Sequence, residues 1–130
     1  MKGQNQIVVN VLGNDYIAKF PNVGQLMDIE SMKMALTNNN YTTMAFSGLK
    51  VHVFQLDLAD AISYFAILIP DLRDNLEIKN WRELDTIRAK KIVESYKKSF
   101  LPWFKPLLDD LTKIEEDEPE ADKSAESQSA

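Results

Sequence analysis

His52 is the single histidine of the 130-residue chain, and cysteine is absent. Any nucleophilic triad or nitrogen-ligated metal site would have to be built around that one imidazole. Its neighbours are Val51 and Val53, and no second ligand stands at metal-binding spacing, so a structural or surface histidine is the favoured reading. Asp57 and Asp60 lie three residues apart and would share one face of a helix, a pairing that can support acid–base work. They also stand where a central helix is predicted to begin, and acids there offset the helix dipole, which is the stronger reading. Asp71 and Asp74 follow Pro70 without further oxygen ligands at loop spacing and read as solvated. Gly3, Gly13, Gly24 and Gly48 are too scattered to form a phosphate-binding loop. No catalytic residue, cofactor or metal ligand is expected, and the chain is read as a non-enzymatic protein. A small enzyme using His52 with Asp57 or Asp60 is the minor reading.

Two surfaces could bind macromolecules. Arg82, Arg88, Lys90, Lys91, Lys97 and Lys98, with Trp81, Tyr96 and Trp103, mix bases and aromatics as a nucleic-acid surface would. Glu83, Asp85 and Glu94 interrupt the run and the aromatics fall on an apolar stripe, so a solvated helix face is favoured and nucleic acid is not the expected partner. The densest aromatic patch is FLPWFKPLL, residues 100–108. It is either the cap of the core or a contact for a protein partner, and Phe100, Trp103, Phe104 and Leu107 are the candidate contacts.

These residues must be positioned by a small set of elements. Residues 6–12, QIVVNVL, and 16–20, YIAKF, read as two strands joined through Gly13, Asn14 and Asp15. Asn22 is a candidate N-cap for an amphipathic helix carrying Leu26, Ile29, Met32 or Lys33, and Leu36, stopped by three asparagines at 38–40. Residues 41–55 fit strand or helix, with helix favoured. Residues 56–70, LDLADAISYFAILIP, are apolar on nearly every side and read as a central buried helix, too short for the ~20 residues of a bilayer crossing. A polar connection follows. Residues 81–100 then show helical periodicity with Leu84, Ile87, Ile92, Tyr96 and Phe100 on one stripe and Asn80 as cap. Pro102 would open a further helix over 103–114, giving an αα-hairpin.

Apolar content of 45 % is enough to fill one core. The expected fold is α+β and mainly helical: a hairpin packed on a bundle of three to four helices within a single domain, residues 1–114. The net charge of −5 is concentrated at the end of the chain. Residues 115–130 hold seven acids and one base, while the rest is close to neutral. With no apolar side chain larger than alanine, that acidic tail is expected to be disordered. A loose, salt-sensitive shield of the basic helix face is one role for it. The first residues lack a signal-peptide pattern, so a cytoplasmic protein without membrane partner is expected.

The hairpin leading into FPNVGQLMDIESMKMAL, the LADAISYFAILIPDL stretch and the closing YKKSFLPWF resemble, in order and layout over residues 7–108, small virion-assembly proteins of bacteriophages, in particular the tail assembly chaperones. That resemblance implies a non-enzymatic protein of the host cytoplasm, or of the virion, that shields apolar segments of a tape-measure protein and contacts other tail parts. It implies a protein partner and leaves room for a homo-oligomer. The alternative it allows is a structural subunit that oligomerises through its hairpin edge and helices.

Overall fold

The computed structural model describes residues 5–117. The fold is α+β and mainly helical, with an N-terminal hairpin packed on the helices. Strands β1 (Gln6–Val11) and β2 (Asn14–Lys19) pair antiparallel, Val8 opposite Ile17 and Val11 opposite Asn14. Alternation sends Val9, Val11, Tyr16 and Ala18 into the core and leaves Val8 and Ile17 outside. The turn is Leu12-Gly13, with φ of 51° and 92°, rather than the expected 13–15. Positive φ at both central residues gives the twist that matches a hairpin, and Asn14 and Asp15 then belong to β2. Asn10 donates to Asp15 across the pair at 2.9 Å.

Helix α1 (Val23–Leu36) starts on a reciprocal cap: Asn22 Oδ1 accepts from the Gln25 N–H at 2.8 Å, and Gln25 Oε1 accepts from the Asn22 N–H at 3.0 Å. It stops where Asn38 and Asn39 take positive φ. The ambiguous 41–55 stretch is helical but broken. Helix α2 (Tyr41–Ser47) ends at Gly48, left-handed at φ 74°, and after extended Leu49 the chain re-enters α3 (Lys50–Leu68). The central helix therefore begins six residues earlier than expected. Asp57 and Asp60 lie well inside it, so the reading of them as first-turn dipole partners is corrected. Pro70 opens a short helix, α4 (Pro70–Asn75), in place of a polar connection.

The expected single helix over 81–100 is three pieces. Asn80 caps only a 3-10 turn (Trp81–Glu83), accepting from the Arg82 N–H at 2.9 Å. Leu84 is extended, and Asp85 caps α5 (Thr86–Ser95), accepting from the Arg88 N–H at 2.9 Å. Ile87, placed on the buried stripe by periodicity, is 72 % exposed for this reason. Then no hairpin forms at Pro102. A π turn (Tyr96–Phe100) runs straight into α6 (Leu101–Asp117), the Leu101 N–H reaching back five residues to the Tyr96 carbonyl. A proline ring crowds the carbonyl four residues before it, and the wider π turn gives Pro102 room to stay in a continuous helix. The helix includes residues 115–117 of the expected tail; the rest of that segment, and its disorder, lie outside the described residues.

The core is built on aromatic rings. Tyr96, Phe100 and Phe104 stack in sequence with centroids 5.6 and 5.1 Å apart, and Tyr64 of α3 touches all three. Phe20, just after β2, stacks on Phe104 at 5.3 Å. Ser63 is fully buried among these elements and its hydroxyl has no hydrogen-bond partner among the described residues. Such a group loses its water without compensation, so Ser63→Ala is expected to leave stability unchanged or raise it by up to about 1 kcal/mol in urea unfolding. A loss above that would show a hydrogen bond that the geometry lacks.

Candidate protein-docking surface

Two of the four aromatic-patch candidates cannot meet a partner in the folded state. Phe100 and Phe104 are 0 % and 2 % exposed, because the π turn rolls both into the ring stack. Trp103 and Leu107 are partly exposed, and Trp103 packs against the edge of the core. The mixed basic and aromatic surface does not assemble either: Trp81 and Tyr96 are buried while the lysines point to solvent. Lys97 is bound to Asp57 at 2.7 Å, and Arg88 to Asp85 at 2.7 Å. Asp71 and Asp74 lie exposed on α4.

A buried cation organises the opposite side. Lys33, on the inner face of α1, bonds Glu30 at 2.9 Å and stands 3.6 Å from Asp60 of α3. Asp60 also accepts from the Tyr41 hydroxyl at 2.6 Å, which ties the start of α2 to the middle of α3. The ammonium lies over the Tyr41 and Tyr64 rings, 5.5 and 5.1 Å from their centroids. Burial works against the Lys33 charge, but the Glu30 hydrogen bond and the surrounding negative groups outweigh it and hold its pKa above the usual lysine value. Burial dominates at Asp60 and raises its pKa, although Tyr41 and Lys33 pull the other way. Burial also raises the pKa of Tyr41, Tyr64 and Tyr96. Asp57 and Asp60 thus each face a cation, Lys97 and Lys33 respectively.

From this anchor α2 and the first turns of α3 project as a helical corner. Its tip is apolar and open: Phe46 is 86 % exposed, and Leu49, Val51, Val53 and Phe54 are exposed as well. Five such side chains within nine residues exceed the scattered apolar exposure of an ordinary surface. Helix α3 is long and apolar enough to span a membrane by length and composition, with mean hydropathy 1.3, but its second half is enclosed by the core. The sequence marks residues 56–70 as interior and leaves 41–55 as strand or helix with no burial assigned. The missed signal is that residues 41–56 contain no acid and a single lysine, Lys50, so they are neither a solvated helix nor matched to a charged neighbour.

At the base of the corner a groove of about 670 Å³ opens between α1, α3 and α5. Leu36, Met44, Leu58, Ile62, Trp81 and Leu84 make its apolar wall. His52 borders it, its Nδ1 2.6 Å from Ser47 Oγ. Ser47 Oγ also accepts from the Leu49 N–H at 3.2 Å and lies 3.0 Å from the Met44 carbonyl, so the pair clamps the turn at Gly48. Neither Asp57 nor Asp60 bonds His52, and a triad of these residues does not form. Among the described residues no three His, Asp or Glu side chains converge to hold a metal ion. Volume, apolar wall and polar border suit a side-chain-bearing ligand. No family model matches the chain, and no curated protein or solved structure is significantly similar to it.

Proposed function

We propose that this chain is a non-enzymatic protein–protein interaction protein that shields or docks an apolar segment of a partner, acting in phage tail or virion assembly in the host cytoplasm. The observation that carries the reading is the open apolar corner, with Phe46, Leu49, Val51, Val53 and Phe54 all exposed within nine residues where α2 meets α3. An apolar surface of that density is costly in water and gains free energy when a partner covers it. Its rigid anchoring through Tyr41, Asp60 and Lys33 means little ordering is needed on binding. The assembly role rests on the resemblance to tail assembly chaperones.

Phe46→Ser with Phe54→Ser tests it, because neither side chain is buried and the fold does not depend on them. The full chain, tagged and recovered from cells that produce it with its native neighbours, is expected to retain a protein partner. The double variant should lose that partner at least tenfold while its melting temperature stays within a few degrees. Equal recovery by both proteins would overturn the docking role of the corner. Flotation of the wild type with lipid vesicles, abolished in the variant, would assign the corner to a membrane instead. The second reading, a virion subunit, draws on the Val8–Ile17 pair, which leaves an apolar stripe on a two-stranded sheet. Concentration-dependent assembly that Val8→Lys removes would favour it.

A further inference from the structure

We infer that the groove at the base of the corner receives an apolar peptide segment that carries a carboxylate, and that Arg82 is the residue that takes this carboxylate. The inference rests on the docking role proposed above and names the chemistry of what docks. Arg73 and Arg88 are both tied to protein acceptors: Arg73 bonds the Ile78 and Lys79 carbonyls, and Arg88 bonds Asp85 and the Leu76 carbonyl. Arg82, which borders the groove, has no hydrogen bond or ion pair from its guanidinium among the described residues.

The nearby acids do not serve it. Glu83 lines a separate cleft with Ile78, Lys79 and Arg88, and Asp85 is held by Arg88. Among the described residues no acid lines the groove. A guanidinium with no partner among the described residues, beside a groove with an apolar wall and a polar rim, is complementary to an apolar peptide with one negative group, and its planar fork suits a carboxylate in particular. The amides of Asn38, Asn40 and Gln55 along the same rim can bond a peptide backbone, which a bare hydrocarbon chain does not offer. The chain's own acidic tail lacks the apolar side chains the wall requires.

The test uses the full chain and two short fluorescein-labelled Leu/Phe-rich peptides that differ only in one position, glutamate or lysine. Fluorescence anisotropy at low salt is expected to show the glutamate peptide binding roughly tenfold tighter, as one charge-assisted hydrogen bond supports. Arg82 is exposed on a 3-10 turn, so Arg82→Glu leaves the core intact and is expected to reverse the preference. Equal affinities, or a preference that survives Arg82→Glu, would overturn the inference. So would failure of both peptides to bind, or uptake of laurate with no peptide binding, which would assign the groove to a free amphiphile. Those outcomes concern the groove alone. The Phe46 and Phe54 substitutions test the corner separately, so the two failures can be told apart.

Discussion

Phe100→Ala is expected to lower the unfolding free energy by about 3–5 kcal/mol, the range for truncating a fully buried phenylalanine. A small domain holds a total of about 5–15 kcal/mol, so the variant should be partly unfolded near body temperature. Phe100 is fully enclosed, and its ring lies within 6 Å of Tyr64, Phe65, Tyr96, Trp103 and Phe104. Little can collapse into the cavity, because the neighbours are stiff rings held by three different helical segments. Urea unfolding followed by near-UV circular dichroism measures the loss. A loss below about 1 kcal/mol would contradict the ring stack. The result also decides how any partner-binding defect of this variant is interpreted, since it would arise from lost structure rather than from a lost contact.

Lys33→Met is expected to cost about 2–4 kcal/mol at neutral pH, because it strands Asp60 in a largely buried site. The figure sits below the full range for broken buried pairs because Asp60 keeps a quarter of its side chain exposed and its bond from Tyr41. The penalty should shrink on acidification. Removing the cation raises the Asp60 pKa further, and a protonated Asp60 needs no cation. A group whose folded pKa is raised contributes stability that is fully present below the unfolded value and lost as pH rises through the folded one. Lys33→Met with Asp60→Asn should therefore recover much of the loss at pH 7, and a double variant no better than the single would refute the coupling. The same sign governs the alkaline side of the wild type. Lys33, Tyr41, Tyr64 and Tyr96 all have raised pKa values, so their stabilisation is intact below about 10 and is lost as pH climbs above it. Tyrosine absorbance in alkali should rise late and together with unfolding.

What the chain displays locally proved legible. The β-branched run of residues 6–12 and the YIAKF stretch form the two strands of the hairpin, and Asn22 caps α1 as its position suggests. The departures come from geometry that no short window contains. Leu12 takes a left-handed conformation so that the hairpin can use a two-residue turn. Lys33 looks like a solvated residue until Asp60 and Tyr41, distant in sequence, close around it. Gly48 and Leu49 alone separate α2 from α3, inside a stretch compatible with either strand or helix. The open apolar corner has a related reason. Periodicity marks 56–70 as a buried helix, but only the packing of α1, α4 and α5 shows that the helix starts at Lys50 and runs beyond its cover.

The π turn sets the rotational phase of everything after it. Tyr96, Phe100 and Phe104 are spaced by fours, and in a regular α-helix each such step drifts by about 40° from the previous one. The wider turn absorbs that drift, which is how three successive rings can all reach Tyr64. Deleting one residue from Tyr96–Phe100 would remove the extra residue of the wide turn, let the segment close as regular α-helix with the face of α6 kept, and bring the Pro102 ring against the carbonyl four residues before it. The same deletion placed inside α6 would instead roll everything after it by about 100°. The wide turn is therefore where this helix can lose a residue without changing which face it buries.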